Sequence, residues 1–263
     1  MPYAKTNGIK LYYKIYGEGD PVVLIGGLGS QIQSWATQIP IYSKKFKVIV
    51  FDNRGIGRSD KPDYPYTIEQ MANDTIGLMD SLEIKKAHIV GKSMGGMISQ
   101  WIGIKYPDRL KKIVMGCSSA ARDDLGNEIL RIGRDITTKV GPRAGWLFAL
   151  FLGYNREYLE DNLTQIKNTL ESIPDTQKGI VGYLNQSYAC ENHNTEDLLH
   201  KIKAKTLVMY GERDLITAPR RSKKLAELIP DATEKIFRNV GHGFWRECQK
   251  EVDEIVMDFL SQG

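Results

Sequence analysis

The stretch Ala87-His88-Ile89-Val90-Gly91-Lys92-Ser93-Met94-Gly95-Gly96 decides how this chain folds. Ala87 to Val90 is an apolar run, the pattern of a buried strand, and helical spacing takes over from Met97 to Tyr106. Between them lies Gly91-x-Ser93-x-Gly95, the sequence form of a nucleophile elbow. A chain that turns from strand to helix within so few residues forces the serine into a strained conformation and projects its hydroxyl. Glycines suit positions 91 and 95 because strand and helix pass too close there for a Cβ. The helix start then aims unpaired N–H groups at any oxyanion formed beside Ser93.

Upstream of this segment, strand and helix patterns alternate. Lys5–Thr6 and Ile9–Tyr16 read as an antiparallel pair around Asn7-Gly8. Pro21 to Ile25 and Phe46 to Phe51 are short β-branched runs of the kind covered on both faces. A short helix is expected over Ser34–Ser43. A longer one is expected over Thr67–Leu82, with Thr67 as N-cap. Downstream, Lys112–Met115 reads as a strand. Then the character changes: from about Ala121 to Leu199 no strand-like run occurs, and helices are expected, broken at Gly141-Pro142, Gly153, Pro174 and Gly179–Gly182. Strand Lys205–Tyr210, helix Arg220–Leu228, strand Glu234–Phe237 and a last helix Glu247–Leu260 follow. Alternation of this kind implies a mainly parallel sheet with right-handed crossovers. The helical block reads as an insertion over the loop-bearing end of that sheet.

The 263 residues suit one large α/β domain, long enough to be stable without disulfides. Three scattered cysteines, Cys117, Cys190 and Cys248, suggest neither a disulfide framework nor a zinc site, and point to a reduced, cytoplasmic setting. The N-terminus lacks the order of a secretion signal, and the longest apolar stretch, Ala144–Leu152, is too short to cross a bilayer. The net charge of +4 comes from dispersed basic pairs not interleaved with aromatics, so no nucleic-acid partner is expected. Nothing in the sequence points to an oligomeric state.

A serine hydroxyl needs a base, and the base needs a partner to hold its tautomer. Four histidines are available. His88 starts the strand whose far end carries Ser93, and so belongs to the opposite edge. His193 and His200 lie in the helical block or its return stem. His242, in Val240-Gly241-His242-Gly243-Phe244, follows the last strand at the edge where the elbow sits. For the acid, Asp214 in Tyr210-Gly211-Glu212-Arg213-Asp214 is preferred, with Glu212 and the pair Asp123–Asp124 in reserve. The amide of Met94 supplies one oxyanion donor. Leu28, in Gly26-Gly27-Leu28-Gly29-Ser30 after the strand ending at Ile25, supplies the other. Gly116-Cys117-Ser118-Ser119-Ala120 nearly repeats the elbow pattern but lacks its closing glycine, and reads as a strand end. Asp52 to Ser59 reads as a structural loop, with Arg54 tied to a carboxylate near the elbow.

Together Gly26-Gly27-Leu28-Gly29, Asp52-Asn53-Arg54-Gly55-x-Gly57-x-Ser59, Gly91-x-Ser93-Met94-Gly95-Gly96, Gly211-x-x-Asp214 and Gly241-His242 resemble the α/β-hydrolase superfamily. The chain is similar in particular to small esterases, monoacylglycerol-lipase-like enzymes and enol-lactonases with a helical cap. The resemblance implies a mostly parallel eight-stranded sheet flanked by helices. It implies a core over 1–121 and 199–263 and a cap over 122–198. The triad order Ser93, Asp214, His242 is the one this fold uses. Two departures stand out: Gly26-Gly27 where many relatives have His-Gly, and Lys92 beside the nucleophile, expected to pair with a surface carboxylate or to meet an anionic substrate. The implied activity is hydrolysis of carboxylic esters of small molecules through an acyl-enzyme, without metal or organic cofactor. Enol-lactone hydrolysis, C–C bond hydrolysis, perhydrolysis and a ligand-sensing receptor are the rivals. Trp146, Phe148, Phe151, Leu215 and Phe244 are candidates to line an apolar substrate pocket.

Overall fold

A computed structural model describes residues 2–173 and 175–262. Eight strands form one sheet: β1 (Tyr3–Thr6), β2 (Ile9–Tyr16), β3 (Asp20–Ile25), β4 (Phe46–Phe51), β5 (Ala87–Lys92), β6 (Leu110–Gly116), β7 (Lys205–Gly211) and β8 (Ala232–Phe237). Their spatial order is β1-β2-β4-β3-β5-β6-β7-β8. The hairpin β1–β2 and the β2–β4 pair are antiparallel, and every pairing from β4 to β8 is parallel. β3 and β5 are adjacent at the centre, so their C-terminal ends, Ile25 and Gly91, come out side by side. The two glycine-bearing loops thus lie against each other.

The helices between and beyond these strands are α1 (Ile39–Tyr42), α2 (Ile68–Ser81), α3 (Met94–Lys105), α4 (Asp124–Lys139), α5 (Pro142–Gly153), α6 (Arg156–Asp161), α7 (Leu163–Ser172), α8 (Gln177–Glu191), α9 (Pro219–Leu228), α10 (Phe244–Glu247) and α11 (Gln249–Ser261). α4 to α8 form the helical block between β6 and β7. An isolated antiparallel bridge, Ala121 to Asn194, ties the two ends of the block together. One core cluster lies on the α2–α3 side of the sheet and includes Ile25, Ile89, Met97 and Ile113. The other lies on the α1–α11 side and includes Val90, Val114, Trp245 and Val256. Alternate residues of β5 and β6 face opposite clusters, as a two-sided buried strand requires.

Local physics explains most of the match with expectation. Thr67 Oγ1 accepts the Gln70 amide at 3.0 Å, the expected cap on α2. The strands end within one or two residues of their apolar runs. Four expectations need correction. Ser34–Ser43 is not one helix but a 3₁₀ turn over Ile32–Trp35 followed by the single turn α1, because Pro40 suits a helix start and cannot extend one. Gly179–Gly182 is not a break, since both glycines lie inside α8. The Gly179 amide is capped by Thr176 Oγ1, and a Cβ at Gly182 would overlap the Gly55 carbonyl, so that glycine marks close packing of α8 on the loop after β4. The last helix divides at Cys248, whose ψ of 35° is not helical. α3 begins at Met94, earlier than its apolar spacing shows. The expected break at Pro174 lies outside the described residues.

Candidate active site

Ser93 sits between β5 and α3 with φ 54° and ψ −115°, the strained turn that its setting demands. A Cβ at Gly91 would collide with the Gly95 carbonyl, and one at Gly95 with the Ile25 carbonyl, so neither position tolerates a side chain. The N-terminus of α3 opens directly on this serine.

The loop after β3 passes immediately beside it. A methyl on Gly27 would lie 3.2 Å from Ser93 Cβ. The loop is held on three sides. Ser30 N–H donates to Gly27 O (3.1 Å), Asn53 Nδ2 to Gly26 O (3.3 Å), and Gly29 N–H to Gln186 Oε1 (2.9 Å). Gln186 is fully buried in α8 and uses its Nε2 on the Arg54 carbonyl (2.7 Å). Sequence reasoning missed it, because a lone glutamine in a helix carries no signal until its neighbours are known. Among the described residues, none of the loop, cap and side-chain hydrogen bonds uses the amides of Leu28 or Met94.

In the loops that follow β7 and β8, His242 Nδ1 meets Asp214 Oδ2 at 2.7 Å. Asp214 is buried, and its Oδ1 accepts the amides of Ile216 and Thr217, each at 2.8 Å. Burial alone would push the imidazole pKa down. Asp214, with the Cys117 sulfur beside it, outweighs that and holds the imidazole well above its ordinary 6.5. The reserve acids lie elsewhere. Glu212 is on the surface with Arg238 and the Asn239 amide. Asp123 caps α4 through the Gly126 amide (2.9 Å) and pairs with Arg220, while Asp124 is exposed in the first turn. The other histidines also stand apart. His88 is buried against Phe46, with its pKa pushed down to about 4 by burial. His193 is buried on Gln100 and pushed down to about 3, and His200 is exposed.

Cys117 stands at the end of β6, as the sequence suggests. It is buried, adopts φ 46° just past β6, and its thiol touches the His242 imidazole. Lys92 departs from expectation, meeting no surface carboxylate. Its ammonium lies 3.7 Å from the centre of the Trp35 ring and 4.5 Å from that of Trp245, and donates to Gln38 Oε1 at 3.2 Å. Burial, then the nearby Arg246, lowers its pKa to about 7. Arg54 does meet its carboxylate: Nε and Nη2 grip Asp74 at 2.5 and 2.7 Å in a buried fork.

The suggested pocket residues separate. Phe244 is fully buried in the sheet core, stacked on Phe237 at 4.8 Å, so it packs the fold and does not line a pocket. Phe151 and Leu215 are 63% and 61% exposed, and can contribute only at a rim. Trp146 and Phe148 are half-buried, and Phe148 lies near Gly133 together with Tyr183, whose ring also approaches Gly29. Among the described residues no group of His, Cys, Asp and Glu has an arrangement that would hold a metal ion, and no helix is long and apolar enough to cross a membrane.

The family described as alpha/beta hydrolase fold matches residues 20–244. A protein of Azorhizobium caulinodans named for carbamate hydrolysis is 27% identical over 262 residues, covering 100% of this chain and 99% of its own. The enol-lactonase from Burkholderia xenovorans LB400 superposes with a TM-score of 0.92 at 29% identity, over 99% of this chain and 100% of that one. A thermophilic esterase from Thermogutta terrifontis superposes with a TM-score of 0.84 at 26% identity, over 99% and 96%.

Proposed function

The chain belongs to the α/β-hydrolase fold family, and from that premise we propose that it is a serine hydrolase cleaving carboxylic esters through an acyl-enzyme on Ser93. The observation that carries this is the His242–Asp214 pair, 2.7 Å apart, at the sheet edge where Ser93 is held in its strained turn. His242 removes the Ser93 proton as Oγ attacks the carbonyl carbon. The amides of Leu28 and Met94 stabilise the oxyanion, helped by the α3 N-terminus. Asp214 fixes the tautomer and stabilises the imidazolium. Collapse expels the alcohol, which takes the proton from His242. Water, deprotonated by the same imidazole, then releases the acid and frees Ser93.

Carbamate, enol-lactone and ester, the chemistries named for the three relatives, share a carbonyl bearing a heteroatom leaving group. That common feature favours acyl transfer over the receptor reading. Enol-lactone hydrolysis is the second reading, supported by whole-chain likeness to an enol-lactonase. Residues 122–198 act as a cap over the site. Its half-buried Trp146 and Phe148 suit short- to medium-chain acyl groups.

The deciding experiment is Ser93→Ala, with circular dichroism to establish folding. Ester turnover is expected to fall by roughly 10⁵ or more in kcat, and a fluorophosphonate probe is expected to label only the native peptide containing Ser93. A folded Ser93→Ala protein that still turns over ester at the native rate overturns the proposal.

A further inference from the structure

Beside the His242–Asp214 pair lies a guanidinium that meets no carboxylate among the described residues. Arg122 follows β6 and precedes α4, at the seam between cap and core. Its Nη2 donates to the carbonyls of Gly126 (2.8 Å) and Ile216 (3.0 Å). Nε is buried with no hydrogen-bond partner, and among the described residues Nη1 has none either. Of the five N–H donors that a guanidinium carries, the one on Nε and the two on Nη1 are therefore free. The carboxylates in the neighbourhood are all engaged elsewhere: Asp123 with Arg220 and Arg221, Glu191 with Arg134, and Asp214 with His242.

The position of this group matters as much as its vacancy. Ile216, whose carbonyl holds Nη2, gives its amide to Asp214 Oδ1 at 2.8 Å. A methyl built on Gly153 would lie 3.8 Å from both the Ile216 side chain and His242 Cβ. One residue thus separates the guanidinium from the pair that activates Ser93. Burial lowers the Arg122 pKa somewhat, opposed by Asp123, Asp214 and Glu191 among others, and arginine stays charged throughout. A half-buried cation with no anionic partner, its Nε shut away from water, is less favourable in the resting protein than a paired one, and an arriving carboxylate would meet donors already in place.

We propose that Arg122 binds a carboxylate carried by the substrate, so that the enzyme's substrates are acidic molecules: half-esters or lactones bearing a free carboxylate. This rests on the hydrolase reading of the site. It assigns specificity to a residue that makes no contact with the bond being broken.

The test compares kcat/KM for 4-nitrophenyl butyrate and for mono-4-nitrophenyl glutarate. The native enzyme is expected to prefer the glutarate half-ester by at least about tenfold, and Arg122→Gln to lower that preference by at least about tenfold, with Arg122→Lys between the two. A second arm needs no turnover. Dicarboxylates from succinate to adipate are titrated by calorimetry into Ser93→Ala protein, with and without Arg122→Gln, and binding that disappears with the arginine is expected. Arg122→Lys is read in both arms should Arg122→Gln fail to fold. The proposal is overturned by a native enzyme indifferent to the carboxylate, by variants in which both esters decline equally, or by dicarboxylate binding absent or insensitive to Arg122. If neither ester is hydrolysed the acyl-enzyme reading fails, and the calorimetric arm still decides the subsite.

Discussion

Three side chains far apart in sequence carry the proposed chemistry, and each is set by a different local force. Ser93 is held by backbone strain, His242 by charge, and Asp214 by two amides given to one oxygen. Because Asp214 raises the imidazole pKa, the native rate is expected to climb with pH along a limb above 6.5, where the base becomes neutral. Asp214→Asn is expected to move that limb to lower pH and to cut kcat by about 10⁴, through loss of the oriented tautomer. A pH–rate profile checks both, and an unmoved limb contradicts the pairing. Lys92 gives a stability prediction instead. Its pKa is about 7 when folded and 10.5 otherwise, so the unfolded chain binds more protons between those values and stability falls as pH drops through that window. Lys92→Met fills the cage between Trp35 and Trp245 without charge. Its Tm is expected to exceed the native value near pH 6, with the gap closing by about pH 10. Thermal melts at both pH values decide this.

At the level of elements, the helical block and the sheet loops are joined by polar contacts that apolar patterning does not reveal. Gln186 of α8 holds both the loop beside Ser93 and the Arg54 carbonyl, and it is buried, so Gln186→Leu leaves two backbone groups without partners. A loss of about 2–6 kcal/mol is expected, at roughly 1–3 kcal/mol for each unsatisfied group. A fall in kcat larger than any change in KM is also expected, since the loop beside Ser93, proposed to hold the oxyanion, is loosened while the proposed pocket keeps its lining. Denaturant melts and steady-state kinetics measure the two effects, and a stable variant with native kcat counts against the role. Strand boundaries were largely legible because short β-branched runs buried on both faces leave few alternatives. The helical block was less so. Gly182 reads as a breaker in the sequence, yet it is the point where α8 touches the Gly55 backbone.

For the whole molecule, acid stability is expected to depend on two histidines remote from the site. His88 and His193 are buried and neutral, with folded pKa values of about 4 and about 3 against 6.5 unfolded. Below pH 6.5 the unfolded chain binds the extra protons, so stability is lost as pH falls towards 4 and then 3, on the order of several kcal/mol between the two. His242 has the opposite sign, since its raised value adds stability below pH 6.5 that is lost as pH rises through the folded value. Melts across the acid range should flatten in His193→Gln, and an unchanged slope contradicts the assignment. The sequence by itself determined the sheet and the strand–turn–helix segment that carries Ser93, because these follow from local rules: apolar period and glycine at close approaches. Tertiary structure alone decided that Asp214 and not Glu212 faces the imidazole, that Cys117 touches it, that Lys92 is caged by two tryptophans, and that Phe244 belongs to the core. It alone left Arg122 without a carboxylate partner among the described residues. Charge pairing and burial are properties of neighbours in space, and no local pattern in a chain records which distant residues will become neighbours.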